Sequence, residues 1–161
     1  SLIGAVARSL EGSGIKLLDS TTFLTDQLPK KGVLTKRPID EKIAKDIEFG
    51  KEIAKSIAGL DIGQTVVVKD RTVLAVESIE GTDEAIKRGA RYGKEDIVVI
   101  KVSKPNQDMR FDVPIIGPET IRLLKELKAC CIAIEARKTV IIDREATIGL
   151  ANESEIGIVV I

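Results

Sequence analysis

Residues Lys101 to Asp112 read Lys-Val-Ser-Lys-Pro-Asn-Gln-Asp-Met-Arg-Phe-Asp, which gathers three cations and two carboxylates in one short segment. In an extended chain Lys101 and Ser103 point to one face. The loop that follows brings Lys104, Arg110, Asp108 and Asp112 close together. Cations beside carboxylates suit phosphoryl chemistry: Lys and Arg bind phosphate oxygens, while Asp holds Mg²⁺ or orients a water. The same mixture also occurs in ordinary solvated loops, so composition alone leaves both readings open.

Two further polar clusters stand out. Glu80-Gly81-Thr82-Asp83 lies where an apolar extended run gives way to a helical pattern. Glycine there lets a ligand approach the backbone, and a helix N-terminus presents unpaired N–H groups to an anion. The alternative is a capped helix start with an acidic first turn, Thr82 serving as cap. Asp143-Arg144-Glu145 reads as the cap and first turn of another helix.

The chain contains no His, which excludes Ser–His–Asp and Cys–His catalysis and any His-ligated metal within it. Gly93-Lys94 is followed by Glu95 and lacks P-loop spacing. Gly12-Ser13-Gly14 is half of a dinucleotide fingerprint and precedes no helix, so a Rossmann dinucleotide site is not expected. Cys130 and Cys131 are adjacent in an apolar run, cannot staple distant segments, and read as buried thiols in a reducing compartment.

These groups need elements to position them. Leu2, Ile3, Val6 and Leu10 lie at helical spacing, and Ile15–Leu18 reads as a short strand. Ser20–Pro38, with Pro29-Lys30-Lys31-Gly32, reads as a long connector. Ile43, Ile47, Ala54 and Ile57 predict a helix to about Ala58, capped by Asp40. Thr65–Lys69 and Thr72–Ser78 flank Asp70-Arg71 as a hairpin. Further on come a helix from Thr82 to about Tyr92, a doubly covered strand Ile97–Val102, and a loop Ser103–Gly117. The last third predicts helix Pro118–Lys128, strands Cys130–Glu135 and Thr139–Ile142 as a second local hairpin, a helix from Asp143, and strand Ile156–Ile161. The fold class is α/β, a mixed sheet with local β-hairpins and flanking helices.

The whole chain is 161 residues, 43% hydrophobic and 31% charged, which suits one ordinary core and excludes global disorder. Lys and Arg total 25 and Asp and Glu total 25, so no bulk positive field attracts nucleic acid; aromatics at 2% offer few stacking surfaces. No nucleic-acid partner is expected. No apolar run reaches the length of a membrane span, and the first residues do not form a signal peptide, so a cytoplasmic location is expected. The apolar segment Ile156–Ile161 would invite pairing if it were an edge, and a homodimer is expected.

The runs VLAVESIEGTDEAIKRG, VVIKVSKPNQDMRFDVPIIGPETI and AIEARKTVIIDREATI, in that order, resemble the carboxyl-terminal domain of LpxI-type UDP-2,3-diacylglucosamine pyrophosphatases over roughly Asp61 to Ile161. The motif KP-x-QD-x-R-x-D-x-P-x-x-GP-x-T is specific, and LLDSTTFL and IEFGKEIAKSIAGLDIGQTVVVKD resemble the family's preceding stretch. The resemblance implies a Mg²⁺-dependent hydrolysis of UDP-2,3-diacylglucosamine to UMP and 2,3-diacylglucosamine 1-phosphate, a cytoplasmic step of lipid A synthesis. Its acylated nucleotide-sugar substrate would bring the protein into transient contact with the inner-membrane surface. The family's essential acid aligns with Asp112 first and Asp108 second. On this reading Asp112, with Asp108 or Glu80, holds Mg²⁺. Lys101, Lys104 and Arg110 offset phosphoryl charge, and Thr82 and the N–H groups after Gly81 hold an oxygen.

Full-length members carry a further amino-terminal domain, with substrate between the two. This chain, starting at Ser1, is therefore expected to be the catalytic half: 1–60 a segment preceding the main domain, 61–161 the carboxyl-terminal domain. Two other functions fit the same residues, a non-catalytic binding module and a Mg²⁺-dependent phosphohydrolase of a soluble nucleotide sugar.

Overall fold

The computed structural model describes residues 2–24, 28–105 and 108–161. Strands β1 (Gly32–Val33), β2 (Thr65–Lys69), β3 (Thr72–Val76), β4 (Val98–Lys101), β6 (Cys131–Ile134) and β8 (Gly157–Val160) form one sheet in the order β1-β8-β6-β4-β2-β3. The three central strands β4, β6 and β8 are parallel, while β1 and the β2–β3 hairpin pair antiparallel at the two sides. β5 (Ile115–Ile116) and β7 (Val140–Ile141) form a separate two-stranded parallel sheet. The mixed α/β architecture matches the sequence expectation.

Helices cover both faces of the main sheet, which is why its central strands are nearly continuous apolar runs. On one face, Ile43, Ile47, Ala54 and Ala58 of α2 (Glu41–Gly59) pack on Val66, Val68, Val98, Ile100 and Ala133. The alternate side chains Val67, Val99, Ile132, Ile134 and Ile158 face α3 (Thr82–Gly93), α4 (Pro118–Glu126) and α5 (Arg144–Glu153). Residues before 61 thus supply a whole covering layer as well as β1. Cys130 and Cys131 are buried, and burial raises the Cys130 thiol to about 11 and Cys131 higher still.

Local chemistry explains several elements. The Asp40 carboxylate accepts from the Ile43 N–H at 2.8 Å and caps α2, a contact worth about 1 kcal/mol. Asp70 and Arg71 both adopt positive φ, the geometry of a tight two-residue hairpin turn. The buried Asp46 carboxylate accepts from both their N–H groups, at 3.0 and 2.6 Å, and anchors that turn to α2. Gly89 lets α3 approach β2: a Cβ there would lie 2.6 Å from Val67 Cγ1.

Some expectations fail for physical reasons. Ile15–Leu18 is not a strand; Ile15 and Leu18 are half exposed and no strand pairs with the segment. The second local hairpin does not form, because β7 leaves β6 and pairs with β5. β8 is not an edge, since β1 covers its outer side, and this removes the ground on which a homodimer was expected. Thr82 is the first residue of α3 and not its cap; Gly81, at φ +85°, holds the cap position without a side-chain bond. Asp143 precedes α5 in left-handed geometry and likewise makes no side-chain cap. α1 (Leu2–Gly12) is a helix as expected.

Candidate active site at the carboxyl ends of the central strands

Strand register places the candidate residues. Lys101, the last residue of β4, pairs with Thr65 on one side and Ile134 on the other. The Glu77 N–H donates to the Thr65 carbonyl at 2.8 Å, so the end of β3 and the start of α3 reach the same edge. Open α/β sheets commonly bind ligands outside the carboxyl ends of their parallel strands.

At this edge the structure assembles a polar cluster around Lys101. Its Nζ donates to the Ile115 carbonyl at 3.1 Å, and Glu77, Asp83 and Asp112 act on it electrostatically. Burial pushes the Lys101 ammonium below the usual lysine range, against the pull of those carboxylates. Thr82 Oγ1 donates to Glu77 Oε1 at 3.0 Å and lies 3.4 Å from Thr65 Oγ1. The other Glu77 oxygen accepts from the Gln64 N–H at 3.2 Å. Gln64 Nε2 reaches Asp112 Oδ2 at 3.5 Å, while Gln64 Oε1 is buried without a hydrogen-bond partner among the described residues.

The loop carrying the carboxylates is folded on itself. Phe111 and Asp112 N–H groups both donate to the Asp108 carbonyl, at 3.0 and 3.1 Å. Arg110 clamps the Asp108 carboxylate with Nε at 2.9 Å and Nη2 at 2.8 Å, and also pairs with Glu11 of α1. The Arg110 guanidinium lies 5.3 Å over the Phe111 ring. Arg110 holds the Asp108 carboxyl below the usual carboxylate range. Ser20 ties the loop to the amino-terminal segment, its N–H donating to Met109 O at 3.0 Å and its hydroxyl to Arg110 O at 2.7 Å.

Not all the residues singled out in the sequence come together. Lys101, Thr82 and Asp112 share the cluster, and Lys104 joins its margin, paired with Asp61 and influenced by Asp112 and Glu77. Gly81 stands at the start of α3 beside Thr82. Glu80 is held elsewhere: Arg88 pairs with it, and its own backbone N–H and Arg88 hold its carboxyl below the usual range. Among the described residues, no three acidic or thiol side chains gather to hold a metal, so Asp112, Asp108 and Glu80 do not form one ligand set here. Lys101 and Ser103 also part company, because alternation ends with β4 and Ser103 turns to Glu135. Asn106 and Gln107 of the motif lie outside the described residues.

Sequence reasoning passed over Gln64, Thr65, Glu77 and Glu135. The signal that finds them is position: each is a polar residue at the end of an apolar strand run, on the edge that Lys101 occupies.

Beside this loop lies an open cavity of about 950 Å³ with mostly apolar walls from Leu24, Val113, Ile115, Val140 and Ile142. Ser20, Thr21 and the start of α5 complete it. Among the described residues, no helix is long and apolar enough to cross a membrane.

An α/β sandwich with cations and carboxylates at the carboxyl ends of its parallel strands has the form of an anionic-ligand site. Residues 30–159 match the family model of the LpxI C-terminal domain, and the chain belongs to that family. Its relative in Caulobacter vibrioides (strain ATCC 19089 / CIP 103742 / CB 15), the UDP-2,3-diacylglucosamine pyrophosphatase LpxI, is 33% identical over 162 residues. That match covers 95% of this chain and 58% of the relative, so the chain spans a little over half of the curated relative's length.

Proposed function

We propose that this chain is the catalytic half of a UDP-2,3-diacylglucosamine pyrophosphatase, cleaving the pyrophosphate to UMP and 2,3-diacylglucosamine 1-phosphate in lipid A synthesis. The observation that carries the reading is the meeting of Lys101, Asp112 and the start of α3 at the carboxyl end of β4, just before the loop that resembles the family's motif.

The substrate is an anionic diester of two phosphates, so water attack needs charge neutralisation and a base. Lys101 is a half-buried cation whose field is little screened, and it would bind a phosphoryl oxygen. The backbone N–H groups at the start of α3, from Thr82 onward, add donors at the same edge. Lys104 lies at the margin and suits the second phosphate. Arg110 clamps Asp108, so its role is to shape the loop while Asp108 orders the turn leading to Asp112. With no His in the chain, a carboxylate is the residue type left to orient the water; Glu77, Asp83 and Asp112 all act on Lys101, and of these Asp112 lies in the loop that resembles the family's motif.

Mg²⁺ is commonly held by one or two carboxylates together with substrate phosphates, and Asp112, beside the Lys101 cluster where a phosphate would bind, suits that arrangement. When bound it would neutralise phosphate charge and make a bound water more acidic.

The apolar cavity next to Val113 favours an acylated substrate over a soluble nucleotide sugar. Leu60, Ile62 and Ile79 are exposed near the same edge and suit contact with the inner-membrane surface that supplies such a substrate. An amino-terminal domain of the kind the resemblance implies would close the other side of the site.

The test compares Asp112→Asn with Asp108→Asn in UMP release. The reading expects the first to lose about a hundredfold or more in kcat, the scale of removing a catalytic acid–base group. Full turnover by Asp112→Asn would remove its assignment.

A further inference from the structure

Glu135, the residue after β6, is the most heavily engaged carboxylate of the site edge. Its Oε2 accepts from Ser103 N at 2.9 Å, Ser103 Oγ at 2.6 Å and Lys55 Nζ at 2.7 Å. Its Oε1 accepts from Lys138 Nζ at 3.0 Å. The side chain is only 14% exposed, and Ser103 is fully buried.

We infer that Glu135 is a positioning residue for the reaction, setting the course of the loop that carries Lys104, Asp108 and Asp112 by gripping Ser103 at its start. The inference rests on the pyrophosphatase reading above.

Topology makes the grip consequential. β4 and β6 are adjacent and parallel, with Lys101 in register with Ile134, so the first residues beyond each strand leave the sheet side by side. At that point the loop loses its ladder partners. The Val102 N–H still donates to the Gln64 carbonyl at 2.9 Å, but Ser103 depends on Glu135 for both its N–H and its hydroxyl. Further along, Ser20 fixes Met109 and Arg110. Side-chain pairs from Lys104 to Asp61, Gln64 to Asp112 and Arg110 to Glu11 add to these tethers, and Glu135 governs the one at the start of the loop, nearest Lys101.

Glu135 is suited to hold and not to act as base. Four donors occupy its two oxygens. Burial alone would raise its carboxyl, but Lys55, the two Ser103 donors and Lys138 outweigh that and hold it near 2. It therefore stays ionised across the range in which an enzyme of this kind works. Lys55 reaches it from α2 on one face and Lys138 from the segment after β6, so the carboxylate also joins the covering layer to the loop.

Two measurements test this: UMP release, taken in whichever form turns over, this chain or the chain joined to an amino-terminal domain; and amide hydrogen exchange of residues 102–112 on this chain alone. The variants are Glu135→Gln, Glu135→Asp, Ser103→Ala and the Glu135→Gln/Ser103→Ala pair. Glu135→Gln should lower kcat by roughly 10- to 100-fold with KM changed by less than about threefold, as expected when reacting groups are misplaced. Glu135→Asp should recover part of the loss. The double variant should be no worse than Glu135→Gln, because both remove one linkage. Exchange in 102–112 should quicken while that of β6 and β8 stays slow.

An active wild type with unchanged kcat in Glu135→Gln, or additive losses in the pair, would overturn the positioning role. Exchange unchanged in both Ser103→Ala and Glu135→Gln would overturn the grip itself. Should Glu135→Gln fail to fold, Ser103→Ala still decides, since it removes only the hydroxyl. A wild type that releases no UMP in either form would instead sink the pyrophosphatase reading, with exchange still judging the grip.

Discussion

Lys101 Nζ lies 3.1 Å from the carbonyl oxygen of Ile115, joining the last residue of a central strand to the first residue of the small β5–β7 sheet. One hydrogen bond thus links the phosphate-binding candidate to the wall of the apolar cavity, which Ile115 also lines. On the proposed reading, the part of the site that handles charge and the part that handles acyl chains share this contact.

Replacing Lys101 by Met should lower kcat on the order of a hundredfold, the scale of losing a preorganised charged donor to a developing oxyanion. The pH profile gives a second readout. Burial lowers the Lys101 pKa from 10.5, so its charge is lost as pH rises through that lowered value, and turnover should decline on the alkaline side earlier than an exposed lysine would allow. Lys101→Arg should move that limb to higher pH. The sign for stability is opposite: between the lowered native value and 10.5 the unfolded chain binds more protons, so stability rises with pH. An alkaline limb identical in Lys101→Arg would separate the lysine from the profile.

Glu135 makes an acid-side prediction. Its folded carboxyl is held near 2 against an ordinary 4.5, so it contributes stability above 4.5 that is lost as pH falls toward 2. Chemical denaturation followed across that window should show a steep decline in the wild type and a flatter one in Glu135→Gln. Equal slopes would mean that the carboxylate adds nothing to folding.

Gly89→Ala probes packing of α3 on the sheet. The added Cβ would meet Val67 Cγ1 at 2.6 Å and Val67 Cβ at 2.7 Å, and Val67 is a stiff β-branched residue at the centre of β2. Overpacking of this kind costs about 1–3 kcal/mol, so the melting temperature should drop by several degrees. Gly149→Ala in α5, where a Cβ meets nothing within 4 Å, should be neutral or slightly stabilising. Equal melting temperatures for Gly89→Ala and the wild type would show that α3 can withdraw from β2 at no cost.

The legible parts of the sequence were those governed by local rules. Asp40 caps α2, Asp70-Arg71 turns the hairpin, and the unbroken run ending at Lys101 is a strand covered on both faces. Where pairing is long-range, local pattern misled. Thr139–Ile142 has strand character, but only the tertiary fold decides that β7 joins β5 and not the adjacent β6. Ile15–Leu18 has the apolar content of a strand and finds no partner. The site divides in the same way. The motif loop announced Lys101, Lys104, Asp108, Arg110 and Asp112 together. Glu77, Gln64 and Glu135 carry only the weak signal of a polar residue bounding a strand run, and it is register that brings those distant strand ends to one edge. Glu80 misled for the opposite reason: it lies two residues from Thr82, yet Arg88 of α3 draws it away.

The central claim is that Asp112 and the Lys101 cluster hydrolyse a pyrophosphate. The most direct measurement is UMP release from UDP-2,3-diacylglucosamine, with and without Mg²⁺, by this chain and by the chain joined to an amino-terminal domain. The account predicts Mg²⁺-dependent turnover in at least the longer form, lost on Asp112→Asn or Lys101→Met while the variants stay folded. Folded protein that binds the substrate yet releases no UMP in either form would contradict it and leave a binding module with the family's architecture.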